Sequence, residues 1–245
     1  MWLHLGTVAN VWELCEDRVL IGLPADRGVL SMWAYHRTAP SCRPAGANLA
    51  FECVEPFVEW PSILKASACR SSYDATRTGA LTDDPKSRVH LDLRVRAVTP
   101  VWDAEAVPAT DTGAAMAEQS WAREHYEQLA HAHGHLIVDS DLIAFNGHVW
   151  RDHSRGPRGA DTPRDWRGHV IASGVMPSGC GFGFSRYWTR DGRVTLEDAY
   201  VIDDQGLEHV SVDRIPGPAV VARDGEKFTA SIGGVEIEVD AGVHG

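Results

Sequence analysis

Residues 147–166, GHVWRDHSRGPRGADTPRDW, hold four arginines, three aspartates, two histidines and two tryptophans in twenty positions. In an extended strand Trp150, Asp152 and Ser154 project to one face, while Arg151 and His153 project to the other. A carboxyl beside an aromatic wall is pushed towards its protonated form and can serve as a general acid, unless neighbouring arginines hold it ionised. Two readings of Asp152 and His153 follow. They form a polar reaction centre, or a buried Asp–Arg network ties a loop to a wall of the fold.

Three further groups carry possible chemistry. In HYEQ, His125 and Glu127 are two apart and share a face if the segment is a strand, which makes an acid–base pair; on a helix they are a polar surface. In VEPFVEW the aromatics Phe57 and Trp60 line a ligand cavity or fill a core. In HAHGHL, His131, His133 and His135 would face one way on a strand, as a zinc or iron site needs, whereas on a helix only His131 and His135 align. Gly134 and the lack of HExxH favour solvent-exposed loop histidines, so no metal is expected. GxSxG, GxGxxG and Walker-type loops are absent, and no nicotinamide, flavin or nucleoside-triphosphate cofactor is expected. Cys180 in SGCGFG reads as a small packed residue.

The elements that must position these residues read as strands. RVHLDLRVRAV places Val89, Leu91, Leu93, Val95 and Ala97 on one face and His90, Asp92, Arg94 and Arg96 on the other. Rougher strands are expected at TVANVWEL, RVLIGL, VLSMWAYH, NLAFECVE and SILKASAC. TRDGRV, DDQGLE, RDGEKF and IGGVEI are hairpin-grade turns at a spacing that suits a meander closing into a barrel. Between the halves lies the Ala-rich, acidic stretch from Asp103, which favours a linker and then a helix over roughly 113–123; HYEQ either ends that helix or opens the next strand. The fold class is all-β, in two antiparallel barrel-like halves: 1–104, a linker or short helix at 105–118, and 119–245.

Composition narrows the function classes. The 245 residues carry 34 acidic and 23 basic side chains, a net charge of −11, which argues against a general nucleic-acid or anionic-membrane surface. No apolar run approaches the roughly 18–20 residues that cross a bilayer, and the N-terminus lacks a basic start and apolar core, so no stable membrane insertion is expected. Five scattered cysteines, an odd number, read as reduced thiols of a cytoplasmic protein.

Taken together, NLAFECVEPFVEW, HYEQ and GHVWRDHSRGPRGADTPRDW resemble the lipocalin-like double-barrel superfamily of AttH-type domains and carotenoid 1,2-hydratases. The last segment is similar to a bacterial group carrying RDHSWG-x-R and a downstream aromatic. The resemblance implies two lipocalin-like barrels with Asp152 facing a cavity, and it covers most of the chain. In the hydratases an aspartate in a Y-x-D-x-N-x-G pattern is implicated as proton donor to an alkene; Trp150, Asp152, Ser154 and Gly156 fall on that pattern, with Trp for Tyr and Ser for Asn. Trp166 falls near the downstream aromatic, and Arg155 stands where the close group has Trp.

The function expected is a cofactor-independent enzyme that hydrates, isomerises or cyclises a hydrophobic isoprenoid or polyketide-like molecule. Asp152, His153 and Glu127 are its candidate catalytic residues. Trp150, Trp60, Trp166, His125, Arg151, Arg158 and Tyr187 are its candidate substrate-binding residues. The alternatives are a non-catalytic carrier of a lipophilic ligand and a metal enzyme using His131, His133 and His135; a homodimer stays open.

Overall fold

The computed structural model describes residues 1–8, 14–24, 27–37, 46–77, 85–106, 124–156, 166–215 and 226–241. The fold is all-β and barrel-like, with one strongly curled sheet and two smaller ones. The first strands are β1 (Trp2–Val8), β2 (Leu14–Gly22), β3 (Val29–Arg37), β4 (Leu49–Phe51) and β5 (Ser62–Ser71). A one-turn helix, α1 (Tyr73–Arg77), precedes β6 (Lys86–Ala97), β7 (Trp102–Asp103) and the long hairpin β8 (Glu124–Val138) and β9 (Asp141–Arg155). There follow β10 (Trp166–Val175), β11 (Gly181–Thr189), β12 (Val194–Asp203), β13 (Gly206–Val210), β14 (Val212–Arg214), β15 (Glu226–Ile232) and β16 (Val235–Ala241). The large sheet runs β1-β2-β3-β5-β6-β8-β7, with β4 on β5 and β9 on β8; the others are β10-β11-β12-β13 and β14-β15-β16.

Contacts divide the chain into two compact units, the first built on Met1–Arg96 with His131–Gly147 and the second on Ala97–Ala130 with His148–Gly242. In the first, β6 alternates as its sequence dictates. Val89, Leu91, Leu93 and Val95 are buried, and each apolar side chain taken from water contributes about 1.5–3 kcal/mol. The opposite phase carries Arg94 and Arg96, which grip the buried Glu59 at 2.7 and 2.9 Å. These two guanidiniums hold the Glu59 carboxyl below the usual carboxylate range.

In the second unit the four-stranded sheet is covered on both faces. Phe184 and Ala199 pack with Ile215, Ala230 and Ile232, towards the three-stranded sheet. On its other face Tyr187, Leu196, Tyr200 and Ile202 close around Trp102 and Ala104. Leu196, Tyr200 and Ile202 occupy alternate positions of β12, so the strand period builds this wall directly.

Three of the four expected turns join consecutive antiparallel strands. Gly192 sits in TRDGRV, Gly206 in DDQGLE and the pair Gly233–Gly234 in IGGVEI, all at positive φ, where a side chain would be strained. The RDGEKF turn and the helix expected over 113–123 lie outside the described residues. NLAFECVE departs from expectation: only Leu49–Phe51 is a strand, and the chain beyond it folds back in a tight hairpin, Glu52 bonding Pro61 and Glu55 bridging Glu59, with Phe57 at its turn at φ 60. HAHGHL also departs, since β8 runs straight through it rather than forming a loop. Gly134 is required there because a Cβ would meet the Asp92 carbonyl oxygen at 2.0 Å.

Candidate functional site

The start of β8 and the end of β9 bring the sequence-singled residues together in the second unit. His125 and Glu127, two apart on β8, are both buried, and their side chains meet at 2.9 Å between Nε2 and Oε1. Asp152 lies on the other edge of the same imidazole, with Oδ1 3.8 Å from Nδ1, and its side chain is 41 % exposed. One ring thus stands between a buried carboxyl and a half-exposed one. Burial pushes the Glu127 carboxyl above its ordinary range; the His125 hydrogen bond and charge oppose this, Asp152 adds to it, and a hydrogen bond with the Trp150 side chain opposes it.

Aromatic rings wall the pair. Trp102 meets His125 edge-on at 5.6 Å between centroids and stacks on Tyr200 at 6.1 Å. Tyr187 stacks on His169 at 5.2 Å. Burial raises both phenols, with Glu127 adding to the rise in each, so they stand as neutral hydroxyls. Burial lowers His169, against the pull of Asp152. Burial thus disfavours the charged forms of Glu127, Tyr187, Tyr200 and His169 together, a pattern that clusters at acid–base sites.

The opposite face of the same hairpin is a charge lock. Arg151 donates to the Tyr126 hydroxyl at 2.9 Å and lies over its ring, while His153 stacks on that ring at 4.6 Å. Partial burial and the nearby Arg151 lower His153, with Asp152 and Glu124 pulling the other way. The two-faced phase expected of WRDH is therefore what the backbone builds: Trp150 and Asp152 act towards His125 and Glu127, Arg151 and His153 towards Tyr126. The buried carboxyl is Glu127, and Asp152 is its exposed neighbour.

A second carboxyl–imidazole pair adjoins the same indole. Asp198, buried on β12, accepts from Trp102 Nε1 at 2.8 Å and faces His209 Nδ1 at 3.0 Å. Burial raises this carboxyl too, against the His209 charge and the hydrogen bonds with His209 and Trp102. Trp102, Asp198, Tyr200 and His209 were not singled out from sequence. The signal was present in β12, where Leu196, Asp198, Tyr200 and Ile202 alternate and an acid sits in an otherwise apolar row.

An open cleft of about 500 Å³ lies in the same unit, lined among others by Thr99, His148, Cys180, Gly181, Ile202 and Asp203. Ile202 belongs also to the cluster around Trp102. Trp60 is buried in the first unit, edge-on to Phe57 at 6.4 Å. Trp166 opens β10 and Arg158 lies outside the described residues. His131 and His133 have ring centroids 6.3 Å apart and His135 meets His90 at 6.1 Å. Among the described residues no three His, Cys, Asp or Glu side chains are arranged to hold a metal ion, and no helix is long and apolar enough to cross a membrane.

Residues 32–239 match the family described as a domain of unknown function (DUF7064). The chain belongs to the DUF7064 family. No curated protein matches this DUF7064 chain. Its fold is similar to that of a solved protein of Nitrosomonas europaea described as "a putative AttH", with TM-score 0.51 and 13 % identity over 83 % of this chain. The DUF7064 chain spans 60 % of that protein's length, and at this identity the likeness is one of fold.

Proposed function

We propose that this DUF7064 chain is a cofactor-independent enzyme that hydrates, isomerises or cyclises a hydrophobic, unsaturated small molecule by general acid catalysis. The observation that carries the reading is the buried His125–Glu127 pair. Burying an ionisable pair without a permanent counter-ion costs stability that an apolar pair would not. The contrast with Glu59 decides its weight. Glu59 is buried between two arginines that keep it ionised, as a structural ion pair requires. Among the described residues an imidazole and an indole hydrogen-bond Glu127, and burial pushes it towards its protonated form.

In this reading Glu127 delivers a proton to a double bond of the substrate, and His125 carries a replacement from Asp152 at the rim. Trp102, Trp150, Tyr187 and Tyr200 supply π faces that favour a developing carbocation. The resemblance to AttH-type domains and carotenoid 1,2-hydratases supports the substrate class; in that family pattern Asp152 is the donor, and here it feeds the buried acid. The neighbouring cleft, which shares Ile202 with the aromatic wall, is the candidate entrance for the substrate.

The test is incubation with geraniol, farnesol and squalene, followed by mass spectrometry and chromatography. Wild type is expected to add one water or to give an isomer of unchanged mass. Glu127→Gln and Asp152→Asn are expected to lose about 10²-fold or more in rate, the usual contribution of a positioned acid. Binding without conversion across the set would make the protein a carrier, and an undiminished Glu127→Gln would remove Glu127 from the mechanism.

A further inference from the structure

An acid alone completes a hydration or starts a cyclisation, but moving a double bond also needs a base. We propose that His209, held by Asp198, is that base, and that the reaction at this site is migration of a double bond within a hydrophobic alkene. The inference rests on Glu127 being the acid.

Four observations carry it. Asp198 engages His209 through Nδ1, and among the described residues this is the hydrogen bond found for that ring, so Nε2 is the nitrogen Asp198 does not hold. The His209 side chain is 24 % exposed whereas Asp198 is 6 % exposed, so the imidazole lies nearer the surface than the carboxyl that holds it. His209 lies directly opposite Tyr200 in the β12–β13 register, on the face that carries Trp102 and Asp198. Finally, both carboxyl–imidazole pairs share the same neighbours. Trp102 touches His125 with its ring and Asp198 with its N–H, and Tyr200 responds to the charges of both Glu127 and Asp198. An Asp that binds Nδ1–H fixes the tautomer in which Nε2 carries a lone pair, the arrangement a general base requires.

The step balances without an oxidant or co-reactant. The π pair of the alkene takes the Glu127 proton, breaking O–H and forming C–H, and the adjacent carbon becomes cationic. Nε2 of His209 removes a proton from the carbon on the far side of that centre, and the released C–H pair forms the new double bond. The substrate leaves as an isomer of equal mass, with Glu127 ionised and His209 protonated. Asp152 and His125 then return a proton to Glu127, and His209 releases its own to water. Here His209 is the catalytic residue and Asp198 the positioning one.

Two measurements test this. Long-range proton–nitrogen correlation on the ¹⁵N-labelled wild-type protein near pH 7.5 is expected to show His209 as the Nδ1–H tautomer with bare Nε2. An Nε2–H tautomer or a full imidazolium there overturns the proposal whatever the substrate. Incubation of farnesol in D₂O supplies the second. Wild type is expected to yield an isomer carrying deuterium. His209→Gln is expected to lose isomer formation about 10²-fold while still washing deuterium into recovered farnesol, because the acid can donate and take back. Asp198→Asn should lower the isomer rate and relax the His209 tautomer preference together. If His209→Gln isomerises at the wild-type rate, the base assignment fails and Glu127 stands. Should Glu127→Gln keep full deuterium exchange, or wild type leave farnesol unlabelled and unconverted, the underlying acid reading fails and this one with it.

Discussion

At the scale of single residues, one carboxyl decides how the site responds to pH. Burial raises Glu127 above its ordinary value of 4.5, so above that pH the folded chain retains a proton that the unfolded chain has released. Stability from this group is whole below pH 4.5 and is lost as pH rises through the folded-state value. Glu127→Gln keeps the shape and can accept from His125 but does not titrate. Its stability relative to wild type is therefore expected to improve as pH rises from 4.5, read by urea unfolding at a series of pH values. A variant that tracks wild type throughout would mean that Glu127 is not shifted. Trp102 gives the second residue-scale prediction. Trp102→Phe preserves most of the buried ring and removes the N–H that Asp198 accepts at 2.8 Å. A buried acceptor stripped of its donor costs about 1–3 kcal/mol. At about 2–4 °C per kcal/mol for a chain of this size, melting should fall by several degrees. Trp102→Ala should cost about 3–5 kcal/mol, since the cavity is added to the lost contact.

At the scale of elements, close approach fixes which strands can carry the site. Gly183 lies opposite Tyr200 in the β11–β12 register, and a Cβ there would stand 2.2 Å from the Tyr200 ring. Gly183→Ala must therefore displace the ring stacked on Trp102, at about 1–3 kcal/mol as for other overpacked cores. Altered near-ultraviolet circular dichroism alongside a lowered melting temperature is the expected result; an unchanged aromatic signal would show that Tyr200 does not hold this position. Such tertiary approaches also explain what was legible in the sequence. The β6 alternation and the three glycine turns could be read directly, because a period of two and a positive φ are local properties. The phase that separates Trp150 and Asp152 from Arg151 and His153 is local as well. HAHGHL misleads because Gly134 looks like a turn, whereas its small size serves the neighbouring Asp92 backbone. NLAFECVE alternates like a strand, yet beyond Phe51 it turns back on itself and pairs with residues 59–61. Asp198 and His209 are eleven residues apart on different strands, and Trp102 and Asp198 are separated by 96 positions, so no spacing rule could join them.

Over the whole molecule, charge is the property that composition fixes most directly. Thirty-four acidic against twenty-three basic residues leave a net −11 at pH 7. Self-repulsion of that excess opposes the compact state, whereas local ion pairs favour it, and salt weakens both. Several pairs on this surface are well exposed, among them Arg214–Glu236, Lys227–Glu238 and Arg155–Glu124. Exposed pairs contribute about 0–1 kcal/mol each and share their screening with the solvent around them. The Glu59 fork is sheltered at its carboxylate end and responds less. Repulsion among unmatched acids should therefore dominate the salt response. Raising sodium chloride from about 0.01 M to about 0.15 M shortens the screening distance from about 30 Å to about 8 Å, and the melting temperature at pH 7 is expected to rise by a few degrees. Near the sequence pI of about 5.5 the excess charge is largely cancelled, and the same salt step should then change melting little or lower it. A fall at pH 7 would reverse the ranking and assign the electrostatic stability of this fold to its ion pairs.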